Sequence, residues 1–110
     1  MSILHLTSDN FDAAISEGLS IVDFWASWCG PCNMLAPTIE LLAQKLEGEV
    51  KVCKVDVDAE SELALRYGVM SIPTILTFSD GEMISKRVGV QPIEELESMI
   101  PGKKDPGEGA

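Results

Sequence analysis

The sequence predicts an α/β domain whose central mixed β-sheet of four to five strands is flanked by helices on both faces. Three observations lead to this prediction. Segments with apolar residues at helical spacing alternate with β-rich runs. One of these runs is apolar along nearly its whole length, and the last two are joined by a tight-turn sequence. With 110 residues, 45% of them hydrophobic, the chain has the size and composition of one domain with a buried core.

The N-terminal part of the chain predicts a small strand followed by a short helix. The strand is expected at Ile3–Leu6. Phe11 and Ile15 then share one face of a helix. Thr7 or Ser8 can cap this helix, because a side-chain oxygen at that position accepts a hydrogen bond from an unpaired backbone amide.

A strand–helix–strand unit is predicted next. Residues 19–26 form a nearly continuous apolar run, which is typical of a strand covered on both sides. Residues 50–57 form a second strand, whose valines are divided between its two faces. Between them, apolar residues recur at helical spacing, at Leu35, Ile39, Leu42 and Leu46. Such a unit makes a right-handed parallel crossover.

The second half of the chain predicts a helix, a hairpin and a last helix. Residues 60–67 have helical spacing and end at a glycine. The β-rich runs 74–78 and 83–88 are joined through an Asp-Gly dipeptide, which favours a hairpin turn. Pro92 suits the first turn of the final helix. The hairpin therefore adds an antiparallel edge to the sheet.

Composition limits the domain organisation and the location. We expect one domain over residues 1–100 and a flexible tail over residues 101–110, since the tail has little to bury. No apolar stretch reaches the roughly 18 residues that span a bilayer, and no export signal is visible at the N-terminus. A net charge of −10 without a basic cluster argues against nucleic acid and anionic membrane. We expect a cytoplasmic protein, and nothing requires more than a monomer.

The motif Trp28-Cys29-Gly30-Pro31-Cys32 follows directly on the first apolar strand. A disulfide stabilises mainly by constraining the unfolded chain, by roughly 2 kcal/mol for a loop of four residues against about 4.7 kcal/mol for a loop of 100. The pair is therefore a weak structural bridge and a good redox switch. With an odd number of cysteines and no export signal, it is expected to be catalytic or metal-binding.

The two cysteines are expected to have different roles. Cys29 would stand at the start of a helix, where the dipole stabilises a thiolate and lowers its pKa from about 8.5. Cys32 would lie one turn deeper and be less exposed. Cys29 would then attack a substrate disulfide, and Cys32 would resolve the mixed disulfide. A structural pair is an alternative, as is half of a zinc site, although two further ligands are missing at any usual spacing.

This motif after a buried strand, followed downstream by Ile72-Pro73-Thr74, resembles the thioredoxin family over residues 3–100. The resemblance implies the thioredoxin fold and general protein disulfide reductase activity on diverse disulfide-containing proteins. It also implies that no cofactor is bound and that a thioredoxin reductase, using NADPH, recycles the pair. The alternatives are a disulfide oxidase or isomerase, and a non-catalytic thioredoxin-like binding subunit.

The resemblance also assigns two residues behind the pair. Asp23 matches the buried family acid that assists deprotonation of Cys32, and Lys54 matches the lysine that tunes this acid. From the residues alone, Asp23 could be a strand residue bonded to backbone, and Lys54 a solvated strand residue. Burial of Asp23 without a partner would raise its pKa.

The implied substrate contacts surround the pair. Ile72 would offer its backbone to an extended substrate segment. The bond from Ile72 to Pro73 is cis by resemblance, whereas the sequence alone predicts trans. Gly89 would let a partner approach, or it forms an ordinary turn. The full set is Trp28, Gly30, Pro31, Ile72, Pro73 and Gly89, and no metal ligand is expected.

Three positions depart from the family pattern. Asn33 stands where lysine or arginine is usual, and Met70 and Ser71 stand where a basic residue and glycine are common. These changes remove features from the docking face. The third cysteine, Cys53, is expected to be a small buried hydrophobe, with regulatory oxidation as the alternative.

Overall fold

The computed structural model describes residues 3–102 of the chain, so residues 103–110 of the predicted tail lie outside the described residues. The described range contains five strands and four helices. In chain order they are β1 (Leu4–His5), α1 (Phe11–Ile15), β2 (Leu19–Trp25), α2 (Gly30–Lys45), β3 (Val50–Asp56), α3 (Ser61–Arg66), β4 (Thr74–Ser79), β5 (Glu82–Val88) and α4 (Ile93–Ser98).

The five strands form one mixed sheet in the order β1-β3-β2-β4-β5. Strands β1, β3 and β2 are parallel, and β4 and β5 are antiparallel additions. The turn between β4 and β5 places Asp80 at φ 48° and Gly81 at φ 87°. Two successive left-handed residues match the twist of a two-residue hairpin. The predicted mixed sheet with an antiparallel hairpin edge is therefore confirmed.

Each face of the sheet carries its own core, because successive side chains of a strand point to opposite faces. The first core joins the sheet to α2 and α4, and its buried residues are Ile21, Leu35, Ile39, Leu42, Ala43, Leu46, Val50, Val52, Ile75, Leu96, Met99 and Ile100. The second joins it to α1 and α3, and its buried residues are Leu6, Phe11, Ile15, Val22, Phe24, Cys53, Val55, Leu63, Leu76 and Phe78. Helices thus cover both faces, as predicted.

Helix α1 begins later than its predicted cap. The backbone amide of Phe11 donates to the carbonyl of Thr7 (3.0 Å), and Asn10 is the residue that precedes the helix. The side chain of Asn10 turns back to accept from the amide of Thr7 (2.7 Å). The amide and hydroxyl of Ser8 both donate to Glu60 Oε1 (2.9 and 3.1 Å). The predicted cap is wrong because this contact with a distant segment holds Ser8.

Helix α2 is the longest of the described helices, with 16 residues, and it continues through Pro37. Its buried face includes Leu35, Ile39 and Leu42, at the predicted spacing. Gly30, Pro31 and Cys32 of the cysteine motif form the first turn of this helix, so packing of its buried face positions the motif. No helix within residues 3–102 is long and apolar enough to cross a lipid bilayer.

We expect Leu42→Ala to destabilise the protein by about 2–5 kcal/mol, because it removes a fully buried side chain and leaves a cavity. Leu41→Ala is the matched control. Leu41 is the adjacent leucine in the same helix but is half exposed, and we expect a loss within about 0.5 kcal/mol. Urea unfolding of both variants measures the difference. Equal losses would contradict the assignment of the buried face.

Candidate active site

Cys29 and Cys32 form a disulfide, with Cα atoms 5.2 Å apart. Cys29 is the N-cap of α2 and has an extended backbone, and Gly30 is the first residue of the helix. Pro31 follows within the first turn, where its missing amide hydrogen needs no partner. The amide of Cys32 donates to Cys29 Sγ at 3.1 Å. The Cys29 sulfur therefore lies at the positive end of the helix dipole, which favours an anion.

The two cysteines are equally buried in this disulfide form. Cys29 is 4% exposed and Cys32 is 3% exposed, so the expected contrast in exposure is absent. The disulfide holds both sulfurs in one small cluster, where Trp25, Val57 and Ile72 pack against them. What distinguishes Cys29 is its neighbours: its Sγ accepts an amide hydrogen and lies 3.8 Å from the carbonyl oxygen of Ile72.

Asp23 is a buried acid on β2. It shares a sheet face with Ile21, which packs in the core under α2, the helix that carries Cys32. Asp23 is 2% exposed, and neither carboxyl oxygen has a hydrogen-bond partner among the described residues. Burial raises its pKa from 3.8 to about 6, although the positive charge of Lys54 acts in the opposite direction. Such a carboxyl can exchange a proton near neutral pH.

Lys54 lies directly beside Asp23 in the sheet. The two residues are register partners on the parallel strands β3 and β2, so their side chains leave the same face. Lys54 Nζ is 4.9 Å from the centre of the Trp25 ring, within cation–π distance. Lys54 is thus half-buried and positioned by its neighbours.

The segment before β4 and the residue after β5 meet next to the disulfide. The Ile72–Pro73 bond is cis, as the resemblance implies and unlike the trans bond expected from the sequence alone. The amide of Gly89 donates to the carbonyl of Pro73 at 2.8 Å. Gly89 has φ 95°, a left-handed conformation that favours glycine. The fold therefore brings Ile72 to Cys29 and Gly89 to Pro73.

Trp28 is 68% exposed beside the disulfide, whereas Trp25 is only partly exposed. Trp28 Nε1 donates to Asp58 Oδ2 at 2.7 Å. Asp56 Oδ1 in turn accepts from the amide of Asp58 at 2.9 Å. The sequence reasoning missed both acids. The signal was their position at the end of β3 and just after it, since β3 is parallel to β2, which precedes Trp28, and parallel strands end at the same edge of a sheet.

The three departures from the family pattern all lie on the surface. Asn33, Met70 and Ser71 are exposed. Asn33 directly follows Cys32 in α2, and its side-chain amide donates to the Ser27 carbonyl at 3.4 Å. None of the three carries a charge.

Cys53 is fully buried in the core under α1 and α3, as predicted. Burial raises the pKa of its thiol to about 12, although Lys51 acts in the opposite direction. A buried thiol with a raised pKa is unreactive, which disfavours regulatory oxidation. Within residues 3–102, no group of three or more His, Cys, Asp or Glu side chains is arranged to hold a metal ion.

A small α/β domain with a disulfide-forming Cys-x-x-Cys pair at a helix start defines a thiol–disulfide oxidoreductase. The family model described as Thioredoxin matches residues 2–101. Thioredoxin of Bacillus subtilis is 47% identical to this chain over 100 residues, which cover 91% of the chain and 96% of that relative. Thioredoxins of Staphylococcus saprophyticus and Staphylococcus aureus are 48% and 46% identical with the same coverage. The chain belongs to the thioredoxin family.

It is accordingly a general protein disulfide reductase, with the Cys29–Cys32 pair as its redox centre. The alternatives of an oxidase or isomerase and of a non-catalytic binding subunit are not favoured by these relatives.

Proposed function

We propose that Cys29 is the attacking nucleophile, Cys32 the resolving thiol and Asp23 the proton acceptor. The observation that carries this assignment is the N-cap position of Cys29, whose Sγ accepts the Cys32 amide at 3.1 Å. A hydrogen bond to the charged form, together with the helix dipole, favours the thiolate of Cys29 in the reduced protein. Cys32 lies inside the helix and lacks this stabilisation.

The reaction proceeds in two exchanges. The Cys29 thiolate attacks one sulfur of a substrate disulfide, forming a bond between Cys29 and the substrate, and the other substrate sulfur leaves as a thiolate and takes up a proton. Cys32 then gives its proton to the Asp23 carboxylate and attacks Cys29 Sγ. The second substrate sulfur leaves as a thiolate. The substrate has gained two electrons, and Cys29–Cys32 is oxidised to the disulfide.

Lys54 adjusts Asp23 for this step. Burial alone raises the pKa of Asp23, and the neighbouring ammonium limits the rise to about 6. Asp23 is then largely ionised at pH 7 and able to accept the proton of Cys32. Its conjugate acid, with a pKa of about 6, is also acidic enough to release that proton to solvent afterwards.

We propose that substrates dock as an extended segment against Ile72, whose carbonyl oxygen lies 3.8 Å from Cys29 Sγ. The amide of Gly89 donates to the carbonyl of Pro73, the residue next to Ile72, and so helps to hold this docking segment in place. The remaining contacts that we assign are Trp28, Gly30 and Pro31.

We also propose a cytoplasmic location, a monomeric domain over residues 1–100, and recycling by a thioredoxin reductase that draws electrons from NADPH. The family membership supports a reductase partner and disulfide-containing substrates as classes.

The test is reduction of insulin disulfides, first with dithiothreitol as donor and then with NADPH and several bacterial thioredoxin reductases. We expect catalysis over the uncatalysed rate with both donors. Absence of turnover with dithiothreitol would overturn the reductase assignment. Turnover with dithiothreitol but with none of the reductases would overturn only the proposed electron source.

A further inference from the structure

Met70 is the most exposed large apolar side chain of the described residues, with 94% of its surface in solvent. It stands two residues before Ile72, whose carbonyl lies beside Cys29 Sγ. Trp28 and Val90 are also exposed. Trp28 directly precedes Cys29 in the sequence, and Val90 directly follows Gly89. Single exposed apolar side chains are ordinary, but several around a reaction centre mark a contact surface.

The backbone around Met70 is held in place by the fold. The amide of Val69 donates to the carbonyl of Ala64 at 2.9 Å, and the hydroxyl of Thr74 donates to the carbonyl of Ser71. The position of Met70 relative to Ile72 is thus determined by contacts on both sides of it. Its side chain, being exposed, adds little to folding and is available to a partner.

The charge of the chain disfavours an acidic partner segment at this surface. Asn33, Met70 and Ser71 are uncharged. The carboxylate of Asp58 accepts from Trp28 Nε1, beside the disulfide. With a net charge of −10 on the chain, an acidic residue beside the substrate disulfide would be repelled. An aliphatic side chain there would instead bury apolar surface by packing on Met70, which favours binding.

Given the proposed function, we propose that Met70 is a specificity-determining residue that selects disulfides with a large apolar residue close to the attacked cysteine. The partner is an extended protein segment that lies across Ile72 and reaches Met70 with a side chain one or two positions from its cysteine. The flexible, polarizable thioether suits this role, since it adapts to apolar side chains of different shape.

The test uses three short peptides, each a symmetric dimer joined by one disulfide so that both sulfurs are equivalent. The peptides differ only in the residue beside cysteine, which is Leu, Ser or Glu. The second-order rate constant for their reduction by the reduced protein is measured for wild type, Met70→Lys, Met70→Leu and Met83→Lys. Met83 is the matched control, because it is an exposed methionine that pairs with Phe78 at the hairpin end of β5. It lies about 17 Å along the strand from Val88, which pairs with Thr74 near the site.

We expect wild type to reduce the Leu peptide about five to ten times faster than the Ser peptide, as partial burial of one aliphatic side chain predicts. Met70→Leu and Met83→Lys should keep this ratio. Met70→Lys should lose the preference for the Leu peptide over the Ser peptide. Its rate constant for the Glu peptide should also rise more than that of Met83→Lys, which adds the same charge elsewhere. Equal wild-type rates on Leu and Ser peptides, or an unchanged ratio in Met70→Lys, would overturn the inference alone. Failure to reduce any of the peptides would overturn the proposed function, and this inference with it.

Discussion

Cys29→Ser should abolish reduction of protein disulfides, with a loss on the order of 10³-fold or more, because a hydroxyl cannot replace the thiolate nucleophile. Cys32→Ser should lose turnover but keep the attack by Cys29. It should therefore accumulate a mixed disulfide with the substrate, approaching one substrate per protein. Mass spectrometry under non-reducing conditions measures this adduct, and insulin reduction measures turnover.

The matched control is Cys53→Ala. Cys53 is the same residue type but is fully buried away from the disulfide cluster. This variant should retain activity and form no persistent adduct. Accumulation of the adduct with Cys29→Ser, and not with Cys32→Ser, would show that the roles of the two cysteines are reversed.

Asp23→Asn should stabilise the oxidised protein at pH 7–8 by about 3 kcal/mol. The folded-state pKa of Asp23 is raised from 3.8 to about 6, at about 1.4 kcal/mol per pKa unit. Between these values the folded protein keeps a proton that the unfolded chain has released, so stability falls as pH rises from 4 to 6. Above pH 6 the full cost of burying the charge is present. Well below pH 3.8 both states are protonated and the cost disappears.

Urea unfolding of the oxidised protein across pH 4–8 measures this effect. The advantage of Asp23→Asn should grow from a small part of its full value at pH 4 to its full value at pH 7. Thr77→Val is the control, since Thr77 is also a fully buried polar residue without a hydrogen-bond partner among the described residues, but does not titrate. Its effect should not depend on pH. An Asp23→Asn effect that is constant with pH would contradict the buried-charge explanation.

The same variant should slow resolution by Cys32 by about tenfold to a hundredfold, since it removes a general base. Single-turnover release of the substrate from the mixed disulfide with Cys29 measures this step. An unchanged rate would assign proton transfer to another group while leaving the stability prediction intact.

Much of the fold was predictable because its signals are local. The apolar spacing of α2 and the turn at Asp80 and Gly81 depend on neighbours within a few residues, and both matched the structure. The cap of α1 was not predictable in the same way. Ser8 is held by Glu60, 52 residues away, and no local pattern records that contact.

In the candidate site, too, local features were predicted and long-range contacts were missed. The spacing of Cys29 and Cys32 predicted a redox pair at a helix start from the motif alone. The contact of Trp28 with Asp58 was missed, because it joins two loops that become neighbours only when β2 and β3 pair. The coverage of both sulfurs was missed for a similar reason, since distant apolar side chains pack against them.

The sequence by itself determined the alternation of strands and helices, the position of two thiols at the start of a helix, and an acid within an apolar strand. Only the tertiary structure decided what surrounds those groups. It left the Asp23 carboxyl oxygens without a hydrogen-bond partner among the described residues, and it set Ile72 beside Cys29 across 43 positions of chain. The physical reason is that periodicity and capping act within a few residues. Burial, pKa and docking geometry depend on which distant strands pair and which side chains then exclude water.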